Sequence, residues 1–162
     1  MKNLHGLIIA VLVLGFLSCK QSDAQLAGQI TEKASSAEAN KAAQEAIGQN
    51  MNNLVMEAEK APDALKKDST YHYAKMYEAM TTIQRKLDMS NDMYEQGIEQ
   101  LKALAADYAA GKIKKEEAQQ KYEELQSGLS KMSERIKSYE GNYNELSADF
   151  AKMMADFKAK GE

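Results

Sequence analysis

Residues 118–157 read AQQKYEELQSGLSKMSERIKSYEGNYNELSADFAKMMADF. Within them Ala118, Tyr122, Leu125, Leu129, Met132, Ile136, Tyr139, Tyr143, Leu146, Phe150, Met153 and Phe157 recur at alternating steps of four and three. Between Gln119 and Ser147 every residue outside that series is polar, charged, or glycine. A ridge repeating every seven residues predicts a helix whose narrow apolar stripe lies against a partner helix. Gly128 and Gly141 each cost about 1 kcal/mol relative to alanine in a helix interior, too little to overturn the whole seam.

Working towards the N-terminus, Gly111 stands where a helix end favours a left-handed residue. The helix of residues 114–159 starts soon after, with Ile113 able to staple onto Ala118 and Glu116-Glu117 favouring its first turn. Lys114 at the cap offers no side-chain acceptor. Before the turn, residues 69–109 predict another long helix with the seam Tyr73, Met76, Met80, Ile83, Leu87, Ser90, Tyr94, Gly97, Leu101, Leu104 and Tyr108. Ser90 and Gly97 interrupt that seam, and Ile98 marks a drift. The short connection makes these two helices antiparallel neighbours, bringing Tyr73 and Tyr77 towards Phe150 and Leu146, and Tyr94 towards Leu129.

Earlier still, Asp68-Ser69-Thr70 supplies N-cap residues, and Pro62-Asp63 ends a first helix because proline cannot extend one. That helix, residues 39–59, carries Ala43, Ile47, Met51, Leu54 and Ala58 at helical spacing. Residues 19–38 read as a tether merging into it. The expected fold is all-α: an elongated antiparallel three-helix bundle, with helices at about 39–59, 69–109 and 114–159. Its start would then lie beside the Gly111 turn. The alternative is a two-helix hairpin completed by homo-oligomerisation. One proline, no tryptophan and ten methionines among 162 residues agree with helix.

The first residues form a separate segment. Lys2 is followed by the uncharged run from Leu7 to Leu17, then Ser18 and Cys19, the sole cysteine. So short a run cannot cross a bilayer as a helix, which needs roughly 20 apolar residues. Lys2, this run, and Phe16-Leu17-Ser18-Cys19 resemble the signal peptide and lipobox of bacterial lipoproteins. The small residue and the cysteine match that pattern, whereas its first two positions depart from it. The resemblance implies cleavage after residue 18 and acylation of Cys19, whose combined chains anchor stably where one would not. It also implies a Gram-negative envelope, and Lys20 after the cysteine permits sorting to the outer membrane.

Little in the body suggests chemistry. A lone cysteine allows neither a disulfide nor a cysteine metal cluster. Once the leader carrying His5 is removed, His72 is the last histidine, so the usual nucleophile–base pairs cannot be assembled. His72 with Met76, one turn on, would form a soft pair suited to copper; an ordinary helix-start histidine is the preferred reading. Acidic pairs such as Glu116-Glu117 and Glu123-Glu124 read as solvated faces, because a narrow rod lacks the pocket that would raise one pKa. Neither an enzyme nor a cofactor is expected. With 21 basic against 24 acidic residues, no global positive field exists to hold nucleic acid. Lys112, Lys114 and Lys115 cluster with Lys121 at the turn. If the turn lies beside the lipid, they can touch anionic headgroups at about 1 kcal/mol each. Met56, Met89, Met93 and Met154 fall off the seams; they either widen the core to admit a third helix, the favoured reading, or form a sticky surface.

The functional expectation is a non-catalytic, lipid-anchored helical protein of the envelope, acting as a scaffold for an unknown protein partner. Two alternatives stand beside it. One is a periplasmic holdase chaperone, since signal, length and helical hairpin resemble the Skp type, although those chaperones are soluble and basic. The other is a cell-surface adhesin.

Overall fold

A computed structural model describes the backbone of residues 4–161 and the side chains of residues 24–161. Three long helices dominate: α1 (Leu4–Glu59), α3 (Tyr73–Ala109) and α4 (Lys115–Ala159). Between the first two lie the short α2 (Asp63–Lys67) and a 3-10 turn at Ser69–Tyr71. The fold is an all-α bundle in which α3 packs extensively on both α1 and α4, while α1 and α4 meet less.

The α4 seam is buried or half-buried at every one of its positions, from Ala118 to Phe157. The α3 seam behaves alike, and Ile98 joins it as a buried residue. Gly97 explains the drift. A Cβ at that position would stand 2.8 Å from Leu129 Cδ2, so the missing side chain lets α4 approach. One heptad seam thereby serves two neighbouring helices.

The N-terminal boundary differs from the sequence expectation. Residues 24–38 are not a tether: they continue α1, and Leu26, Ile30, Ala34 and Ala37 are buried against α3 and α4. Ala43 is exposed, and its expected seam place belongs to Gln44. The reason lies in the occupants. Ala34, Ala37, Gln44 and Gly48 are small or polar, so hydropathy alone does not reveal a seam that spacing permits.

The α1–α3 connection is also more built than a proline stop. Pro62 sets the start of α2, and Leu65 is fully buried at this end of the core. Asp68 accepts hydrogen bonds from Thr70 N (2.9 Å) and Thr70 Oγ1 (2.7 Å). It therefore caps the 3-10 turn and not the long helix expected from residue 69, which starts only at Tyr73, after His72 and without a side-chain cap. His72 then takes a left-handed conformation, φ 52°, ψ 28°, that redirects the chain into α3. Tyr73 closes the corner by donating its hydroxyl to Ala58 O.

The interior divides into two clusters. Around the Tyr71–Phe157 end lie Met51, Leu54, Leu65, Tyr73, Met80, Leu87, Ile136 and Phe150. Towards the Gly111 turn lie Leu26, Ile30, Tyr94, Leu101, Leu104, Ala118 and Leu129. Between them sit polar groups: buried Gln44 and Ser90, with Gln44 Nε2 donating to Ser133 Oγ at 3.4 Å. Tyr73, Tyr77, Leu146 and Phe150 share the first cluster, where Tyr71 lies edge-on to Phe157 and Tyr73 stacks on Tyr77 of the same helix.

Candidate functional site

Cys19, the expected anchor, lies outside the residues whose side chains are described. What the structure does describe is where the chain enters the bundle. Ala24 and Ala27 line a cleft of about 640 Å³ together with Tyr108, Gly111, Ile113 and Lys115. The turn of α1 at Ala24–Ala27 therefore sits at the hairpin end of the rod, opposite Tyr71 and Phe157.

The turn is built as its sequence predicts. Gly111 has φ +68°, and Lys112 N donates to Asp107 O, closing the α3 C-terminus. Lys114 precedes α4 in extended backbone without a side-chain cap, and its carbonyl accepts from Ala118 N. Ile113 packs into the cluster that contains Ala118.

The lysines do not form a bare positive patch. Lys112 pairs with Asp107 at 2.8 Å, and Lys121 with Glu117 at 2.7 Å. A hydrogen bond to its carboxylate partner raises the pKa of each. Lys115 is half-buried and Lys114 exposed, with Glu116 between these lysines and the Lys121 pair. Carboxylates thus offset much of the local charge, and any pull on anionic headgroups is correspondingly short-ranged.

At the other end, exposed His72 shares a groove of about 480 Å³ with Lys75, Met76, Asp149, Lys152 and Asp156. Among the described residues no group of three His, Cys, Asp or Glu side chains is arranged to hold a metal ion. Nearby, Tyr71 Oη is buried without a hydrogen-bond partner, and Lys160 Nζ lies 4.5 Å from the Tyr71 ring centroid. Burial raises Tyr73, aided by Glu59, and a hydrogen bond to Glu59 raises Tyr77.

The off-seam methionines do not widen the core. Met56, Met89 and Met93 are exposed, and Met154 alone of the four packs against a cluster. α1 docks instead through its own Leu26, Ile30, Met51, Leu54 and Ala58. Exposure makes these methionines surface features, and Met93 borders a groove between α3 and α4 that sequence reasoning missed. Its available signal was the spacing of Met89 and Met93, one helical turn apart on one flank.

Comparison with protein-family models, curated proteins and solved structures finds no match to this chain. Among the described residues no helix is long and apolar enough to cross a membrane.

Proposed function

We propose that this chain is a non-catalytic, lipid-anchored helical rod of a Gram-negative envelope, held at the outer membrane through Cys19 and acting by contact with another protein. The observation that carries it is the shared position of Ala24, Ala27 and the Gly111 turn at one end of the bundle. An anchor only a few residues upstream would leave the remainder of the rod projecting away. The 45-residue α4 alone gives a reach of about 68 Å, at about 1.5 Å per residue.

Metabolic labelling with an alkyne fatty acid tests the anchor. The wild-type chain should take the label and sediment with membranes, and Cys19→Ala should do neither. An unmodified thiol in the wild-type protein, read by mass spectrometry, would refute the proposal. The exposed Met56, Met89 and Met93 also favour a second reading, a holdase that cradles unfolded clients. Light scattering from an aggregating outer-membrane protein decides it, because a holdase suppresses the signal and a scaffold leaves it unchanged.

A further inference from the structure

Met89 and Met93 are 58 % and 49 % exposed, and both lie on the flank of α3 away from α1. The opposite flank meets α1 through Lys41–Glu95 and Lys102–Glu38 ion pairs. Met93 opens onto a groove of about 210 Å³ whose other wall is Leu125, Gly128 and Met132 of α4. A second cleft, of about 440 Å³, continues it to Asp107 and Lys121. Among the described residues none of α1 lines either one. Nothing lies within 4 Å of where a Gly128 Cβ would stand, so an incoming backbone can approach closely there.

Glu124 lines both clefts, and the other charges along this groove lie at definite heights. Asp107 is level with Lys121, and Met93 with Met132, since each pair lines one cleft. On the alignment set by Asp107 with Lys121 and Gly97 with Leu129, Asp92 and Arg135 stand within about 2 Å of one height. Asp92 shares a face with Gln96, and Arg135 with Met132. Both Asp92 and Arg135 are exposed.

We propose that a second copy of this chain docks in the groove, side by side and pointing the same way, about a two-fold axis along the rod. Each α3 then faces the α4 of the second copy at equal height. Asp92 meets Arg135 and Met93 meets Met132 across the interface, while Asp107 and Lys121, already paired with Lys112 and Glu117 of their own chain, stand at its end. A head-to-tail pairing centred on Gly128 does the opposite, because it sets Lys121 against Arg135, like charge against like. The contact runs about 27 Å from Met89 to Asp107 and about 20 Å across two helices. That covers on the order of 1,000 Å² in total, near the lower limit for a specific interface, so the dimer dissociates on dilution. The inference does not rest on acylation of Cys19.

The test is the protein mass of the full chain in non-ionic detergent, measured over a concentration series by light scattering with refractive index. Wild type should reach twice the mass of one chain at the concentrated end. Asp92→Arg and Arg135→Asp should each halve it, and the two together should restore it. Met93→Gln, also on the surface, should halve it with helix content unchanged by circular dichroism. A wild-type monomer throughout, single reversals that leave the dimer intact, or a double reversal that fails to restore it would each overturn the proposal. Binding of a different protein to a groove that never self-associates counts against it as well.

Discussion

Ile30→Ala tests whether the first described stretch of α1 belongs to the core. Ile30 has no exposed surface and packs in the cluster with Leu101, Leu104 and Ala118. The substitution removes three carbons, worth about 2.4 kcal/mol at roughly 0.8 kcal/mol per buried methylene. The cavity left behind raises the range for such a change to about 2–5 kcal/mol. Position limits the upper end. Residues 24–38 bury only Leu26, Ile30, Ala34 and Ala37, so the segment can open by itself, and the loss cannot exceed the free energy of that opening. The expected result is about 2–3 kcal/mol in urea unfolding of the full chain followed by circular dichroism, with faster amide exchange confined first to residues 24–38. Gln29→Ala, on the exposed face, should stay within about 0.5 kcal/mol. If Ile30→Ala matches Gln29→Ala in both assays, the segment is a tether after all and the account of the core fails.

Gly97→Ala should destabilise by about 1–2 kcal/mol in urea unfolding, because its Cβ collides with buried Leu129 and overpacking outweighs the helix gain. Gly141→Ala meets nothing and should stabilise by about 1 kcal/mol; equal effects at the two sites would refute the close approach. Gln44→Leu should raise stability by about 1 kcal/mol, since Gln44 Oε1 is buried without a partner and Nε2 makes only a long bond; a loss of similar size would show that the polar group is better satisfied than this. At high pH the bundle should weaken. Lys41, Lys102, Lys112 and Lys121 are raised, first by hydrogen bonds to Glu95, Glu99, Asp107 and Glu117, and Tyr73 and Tyr94 are raised by burial. Groups that hold their protons more tightly when folded add stability that is complete below about pH 9.5 and is lost as pH climbs through their folded values. The urea midpoint should therefore hold from pH 7 to about 9.5 and fall beyond it; a midpoint constant to pH 11 would contradict the assignment.

Much of the bundle was legible wherever a seam carried large apolar side chains. The α4 stripe could be read residue by residue because its other face is almost wholly polar, and the Gly111 turn because a left-handed position selects glycine. Legibility failed where the seam is made of small or polar residues. Ala34, Ala37 and Gln44 give no hydropathy contrast, and their burial follows from what α3 and α4 present opposite them. The same non-local cause separates Met80, fully buried, from Met89, largely exposed, on one helix. Leu65 escaped because five residues between a proline and an aspartate are too few to display a period. The groove between α3 and α4 is a property of two helices at once, and the spacing of Met89 and Met93 signals only the α3 side of it.

The polar layer between the two clusters has a mechanical consequence. Towards the two ends of α1, Leu26, Ile30, Met51 and Leu54 resist gliding along its neighbours by one repeat. Around its middle α1 presents a nearly uniform ridge of small residues, Ala34, Ala37 and Gly48, which by themselves would resist it little. Gln44 breaks that uniformity: such a slip would carry its amide away from Ser133 and into one or other greasy compartment, where it would find no partner. A single amide at mid-length thus acts as a detent, fixing how far α1 reaches along its neighbours.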